Sequence, residues 1–151
     1  MSKKDFVGIY KPRKDIKGGA VAQFKLGSKK DCMFLELAQQ TAPMDSERPY
    51  DWENTRIAIK LGATDIGKLL ALFYGRIPPN EDKDKADLEL FHKNEKGNKV
   101  IKIKQQPGGY YLRVSQKEGE KQNAVAIPIS WDEAELVSIA LRKGYELMLG
   151  W

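Results

Sequence analysis

Apolar and polar residues alternate with a period of two in four stretches of the first 62 residues: Phe6 to Tyr10, Ala20 to Leu26, Cys32 to Ala38 and Arg56 to Leu61. Alternation sends successive side chains to opposite faces, so each stretch predicts a strand with one buried side. Turn-forming residues separate them at Lys17-Gly-Gly19, Gly27-Ser28 and a Pro43 to Pro49 loop. The period then changes. Ile66, Leu69, Leu70 and Phe73 recur at helical spacing, which predicts a helix of about 11–13 residues with Thr64 as N-cap and Gly75 as its stop.

Ile77 to Lys85 is polar and aperiodic, as an exposed connection would be. Beyond it the plan repeats, with strands predicted at Asp87 to His92, Lys99 to Gln105, Tyr110 to Gln116 and Ala124 to Ile129. Asn94 to Asn98 and Pro107-Gly-Gly109 supply hairpin turns. Ser130-Trp-Asp-Glu133 matches a capping box, in which the Ser hydroxyl and the Glu carboxylate satisfy free amides at a helix start. A second helix is therefore predicted from Trp131. The fold class is α+β, one domain over 1–151, with half-repeats at about 5–76 and 87–151 and a linker at 77–86. The halves share element order and negligible identity.

The second helix is apolar over too wide a sector for one supporting sheet. Ala134, Val137, Leu141, Tyr145 and Met148 form one stripe, and Leu136, Ile139, Ala140 and Leu147 an adjoining one. The first suits the chain's own core. The second is the candidate interface with further copies of the chain.

Composition narrows the function classes. The chain has 151 residues, 41% of them hydrophobic, enough for one sizeable core. Its longest apolar run, Leu69 to Tyr74, is far short of the ~20 residues a membrane span needs. Met1-Ser-Lys-Lys-Asp5 lacks a secretion signal's apolar stretch, and transit-peptide character is missing too. The expected location is the cytoplasm, in association with the nucleoid; an organelle would require a trimmed transit peptide. One cysteine, Cys32, and one histidine, His92, leave no internal disulfide and too few soft ligands for structural zinc. The net charge of +5 is segregated into blocks: +7 over residues 1–30, −5 over 31–54, −3 over 80–90 and +5 over 93–121.

No nucleophile elbow, Walker loop, dinucleotide fingerprint or His-Glu-x-x-His motif occurs, and His92 reads as a packed or edge histidine. No catalytic residue, metal ligand or cofactor is expected. Asp82, Asp84, Asp87 and Glu89 carry interleaved lysines and read as a solvated connection. The stronger pattern is cations and aromatics sorted to single strand faces. Lys102 and Lys104 oppose Ile101 and Ile103; Arg56 and Lys60 oppose Ile57, Ile59 and Leu61; Lys25 opposes Phe24 and Leu26; Tyr111 and Arg113 oppose Tyr110, Leu112 and Val114. Cations spaced along a sheet neutralise phosphates, and rings receive unstacked bases, so the pattern suits a single strand of nucleic acid. Neither helix is basic enough to read a duplex groove. The same pattern also fits a solvated antiparallel sheet.

Specific residues add to this. Pro49-Tyr-Asp-Trp52, Ile57 to Leu61 leading into Thr64-Asp-Ile-Gly-Lys-Leu-Leu70, Leu90-Phe-His92, Val100-Ile-Lys-Ile103, Leu112-Arg-Val-Ser115, Ile127-Pro-Ile129 and Leu149-Gly-Trp151, in that order, resemble the Whirly family of single-stranded DNA-binding proteins. The resemblance runs from about Phe6 to the last residue. It implies two four-stranded antiparallel sheets packed crosswise, each followed by a helix, and four protomers gathered by their helices. It also implies binding of single-stranded DNA with little sequence preference, in genome maintenance or transcription. The Lys-Gly-Lys-Ala-Ala-Leu motif of plant members is missing from the first strand, which reads Lys4-Asp-Phe-Val-Gly-Ile-Tyr10, so assembly beyond a tetramer is not implied. A non-plant or prokaryotic or phage-type relative fits this departure and the lack of transit-peptide character.

The candidate nucleic-acid contacts are Lys25, Phe34, Tyr50, Trp52, Arg56, Lys60, Lys102, Lys104, Tyr111 and Arg113. Tyr50 and Trp52 fit either base stacking or a structural plug, and Phe24 and Phe34 either core or a base pocket. Trp131 and Trp151 read as packing residues. The candidate assembly residues are Leu136, Ile139, Ala140 and Leu147. The partners expected are single-stranded DNA and three further copies, with no membrane. Single-stranded RNA, which the same fold binds in kinetoplast guide-RNA proteins, and a scaffold role on protein partners stay open as alternatives.

Overall fold

The structure is a computed structural model that describes residues 6–95 and 97–150. It forms β1 (Phe6–Lys11), β2 (Ala20–Leu26), β3 (Met33–Gln39), β4 (Ile57–Leu61), α1 (Ala63–Phe73), β5 (Leu88–Asn94), β6 (Gly97–Gln106), β7 (Gly109–Glu118), β8 (Lys121–Ser130) and α2 (Trp131–Leu149). The first four strands make one antiparallel sheet in chain order and the last four a second. Strand β8 touches every strand of the first sheet, so the sheets pack crosswise. No described helix is long and apolar enough to cross a membrane.

The period-two pattern explains the core. Ala22, Phe24, Leu35, Leu37, Ile57, Ile59 and Leu61 of the first sheet join Leu90, Ile101, Ile103, Leu112, Val114, Ile127 and Ile129 of the second in one buried cluster. Ile66, Leu69, Leu72, Val137 and Leu141 bring both helices into it. Each helix also reaches across: α1 touches β4 and β5, while α2 touches β1 and β2 besides β7 and β8. Gly144 lets α2 sit flush, because a Cβ there would lie 2.3 Å from the Met33 sulfur. Polar ties fasten the sheets to one another. Gln39 Nε2 donates to the Ala124 carbonyl at 2.7 Å and Lys99 Nζ to the Ala58 carbonyl at 2.6 Å.

The predicted cap of α2 is present: Glu133 N–H donates to Ser130 Oγ and Ser130 N–H to the Glu133 carboxylate. The predicted cap of α1 is corrected. Gly62, not Thr64, is the N-cap, because Asp65 Oδ2 accepts the Gly62 N–H at 3.0 Å and a helical turn forms ahead of Thr64. The stop at Gly75 holds, with φ +76°, and Gly75 and Arg76 N–H donate to the Leu72 and Ala71 carbonyls in a Schellman arrangement. Strands β6, β7 and β8 run ten residues each, longer than predicted, since their polar ends continue the ladder past the apolar pattern. Trp151 lies outside the described residues.

Candidate nucleic-acid interface

Cross-strand register decides which side chains meet. On the first sheet, Phe6, Lys25, Phe34 and Lys60 stand opposite one another in a row across β1, β2, β3 and β4, all on the face turned away from the core. The next row holds Gly8, Gln23, Glu36 and Ala58. On the second sheet, Glu89, Lys102, Arg113 and Ala126 form a row across β5 to β8, flanked by Lys104, Tyr111 and Pro128 on one side and Phe91, Val100, Ser115 and Ala124 on the other. Apart from Tyr50 and Trp52, which lie on a loop, the sequence-predicted cations and rings are on outer faces but split between two. Lys25, Phe34, Arg56 and Lys60 belong to the first sheet, and Lys102, Lys104, Tyr111 and Arg113 to the second.

The two faces differ electrostatically. Glu36, only 4% exposed, pairs with both Lys25 and Arg56. Burial pushes its carboxyl up, but the hydrogen bonds and charges of Lys25 and Arg56 outweigh that and hold it below the ordinary carboxylate range. On the second sheet Asp87 takes Lys104 at 3.0 Å together with the N–H groups of Asn80 and Gln105 at 2.6 Å each. Burial raises Asp87 too, and again these donors leave it depressed. The sequence places Asp87 in a solvated acidic connection; its side chain is instead fully buried and fixes the start of β5. Among the described residues Lys60, Lys102 and Arg113 make no ion pair.

Tyr50 and Trp52 come from the β3–β4 loop, which folds back over the first sheet. Tyr50 bridges Gln40 and packs on Val21 and Ala38, two outward positions of β2 and β3, with Trp52 against the same patch. Tyr50 is buried and its hydroxyl has no hydrogen-bond partner among the described residues; burial, then Tyr10, raises its pKa. A cavity of about 580 Å³ lies beside the pair, lined by Glu47, Asp51 and Glu53 as well as Arg48. Both rings thus stand among carboxylates. Phe34 is half-buried on the outer face, whereas Phe24 is core.

Three features escaped the sequence reading. Phe91, 58% exposed on edge strand β5, is the most open ring of the second face; the alternation of Glu89, Phe91 and Lys93 against Leu88 and Leu90 carried that signal. A cleft of about 350 Å³ opens between the Lys17 to Ala20 turn and Tyr111, Ala124 and Ala126, which no single strand pattern reveals. His92 Nε2 lies 3.2 Å from Asp65, joining β5 to the α1 cap. On α2, Leu136 and Ile139 are more than half exposed, with Ala140 and Leu147 intermediate, while Ala134, Val137 and Leu141 are buried. Trp131 packs edge-on against Tyr110 at 5.3 Å.

Two crossed four-stranded antiparallel sheets, with a helix after each, thus carry cations and rings on their outer faces. The family model described as Whirly transcription factor matches residues 20–140, and the chain belongs to the Whirly family. No curated protein sequence matches the chain. Among solved structures it is similar to WHY3 from Arabidopsis thaliana, with TM-score 0.69 and 21% identity over 100% of this chain and 92% of that one. It is also similar to MRP1/MRP2 of Trypanosoma brucei, with TM-score 0.72 and 12% identity over 96% and 86%. A guide-RNA-binding protein complex bound to a gRNA matches at TM-score 0.72 and 13% identity, over 97% and 92%.

Proposed function

We propose that this protein binds single-stranded DNA with little sequence preference, as a non-enzymatic homotetramer serving transcription or genome maintenance. The observation that carries the reading is the outer face of the second sheet. There Lys102 and Arg113 are register neighbours that make no ion pair among the described residues, and Tyr111 and Phe91 stand on either side of them. Unpaired cations meet phosphates without first breaking a contact, and exposed rings accept any base through its π-face. The cleft beside Tyr111 gives an unstacked base a recess. Membership in a family of transcription factors agrees with this reading. Single-stranded RNA is the second ligand to titrate, because a relative of this fold is bound to a gRNA.

The uncovered stripe of α2, Leu136, Ile139, Ala140 and Leu147, supports assembly through that helix. Titration of labelled single-stranded DNA, single-stranded RNA and duplex DNA at two salt concentrations tests the binding. Single strands of mixed sequence should bind alike and ahead of duplex, with log K falling against log salt by about 0.7 per neutralised phosphate. Equal affinity for duplex would overturn the reading. Light scattering should return four times the 17.1 kDa chain mass, and a monomer would remove the assembly.

A further inference from the structure

We infer that Glu36 is a specificity-determining residue that closes the outer face of the first sheet and so directs a nucleic-acid strand to the second. The inference rests on the binding reading above. Glu36 is central on its face: it lies on β3, an inner strand, between Gln23 and Ala58 in register. Its carboxylate holds Lys25 from β2 and Arg56 from the entrance to β4. Each of these is only partly exposed or half exposed, so neither cation is free in the way Lys102 is.

A phosphate arriving at this face must take a cation away from a carboxylate that is almost fully buried. The competition is unequal, since a buried carboxylate stripped of its partners is left uncompensated, whereas a phosphate in water loses little by staying solvated. Removing two cations from use also leaves Lys60 as the one cation of the aromatic row without an ion pair. The β3–β4 loop adds to the closure by covering Val21 and Ala38 with Tyr50. Among the described residues no buried carboxylate lies at the centre of the second sheet, where Glu89, the register neighbour of Lys102, is exposed. The sheet's buried carboxylate, Asp87, sits before the first residue of β5 and holds one cation, Lys104, besides two backbone N–H groups. Lys102 and Arg113, in the middle of the face, stay available.

A double-mutant cycle tests this with labelled single-stranded DNA. Lys25→Met alone should change the dissociation constant by less than about twofold, because Lys25 is already engaged. Glu36→Gln, which releases both Lys25 and Arg56, should tighten binding by about fivefold or more and steepen the salt slope by about 1.4, the signature of two extra phosphate contacts. Adding Lys25→Met to Glu36→Gln should remove about half of that gain, since Arg56 stays released. A folded Glu36→Gln protein with unchanged or weaker affinity would overturn the inference. So would a tenfold loss from Lys25→Met alone, a variant that leaves Arg56 on Glu36 and does not depend on Glu36→Gln folding. Wild-type protein that binds no single strand would instead overturn the binding reading and take this inference with it.

Discussion

The two sheets are built on one pattern yet present different surfaces. Both bury aliphatic side chains at alternate positions, and both place cations at the intervening ones. On the first sheet two of those cations, Lys25 and Arg56, converge on Glu36, and the loop carrying Tyr50 and Trp52 covers Val21 and Ala38. On the second, the buried carboxylate of Asp87 lies at the margin, and Lys102 and Arg113, which make no ion pair among the described residues, face outward beside Tyr111 and Phe91. The placement of a single acid therefore decides whether a basic face is open. In the first sheet it is central and shared by two strands; in the second it fastens a connection to the start of an edge strand.

Replacing Lys102 and Arg113 together by Ala should produce the largest change in binding. Affinity for single-stranded DNA is expected to fall by about 2 kcal/mol, with the salt slope about 1.4 shallower, read in the same titrations. If Lys25→Met and Arg56→Met together do as much, the two faces are equivalent and the contrast fails. Asp87→Ala should act on the fold instead. Removing an acceptor of two backbone N–H groups and one ammonium is expected to cost about 2–3 kcal/mol in urea denaturation, while freed Lys104 leaves binding at least as strong.

How far the sequence alone specifies these features follows from what each signal depends on. Period-two alternation depends only on neighbours in sequence, so the outward placement of Lys25, Lys60, Lys102 and Arg113 could be read from it. Pairing across strands is not local. The register that sets Glu36 beside Lys25, and the return of Tyr50 onto Val21 and Ala38, join residues 11 to 29 positions apart. Thr64 was misread as the cap because a glycine gives no side-chain signal, and Asp65 was the residue to follow. The ten-residue strands of the second sheet were underestimated at polar ends that contribute hydrogen bonds but no hydrophobic pattern.

Smaller effects sharpen the comparison. Trp52→Ala should lower stability by about 1–2 kcal/mol, less than for a fully buried ring, and change binding less than twofold, because its ring packs on Val21 and Ala38 among carboxylates. Loss of affinity at unchanged stability would make Trp52 a stacking platform and reopen the first face. The smallest effect expected is on pH. Glu36, Asp87 and Glu133 are all depressed in the folded chain, so the stability they contribute is fully present above the ordinary carboxylate range near about pH 4 and is lost as pH falls through their folded values. Thermal melts between neutral and acid pH should show that loss, and Asp87→Ala should reduce its size.

Lysine-reactivity footprinting with and without single-stranded DNA tests the open and closed faces most directly, since it reads each ammonium in the unaltered chain. The first DNA added should protect Lys102 while Lys25 reacts as it does in the free protein. Equal protection of Lys25 and Lys102 at the same DNA concentration would contradict the account.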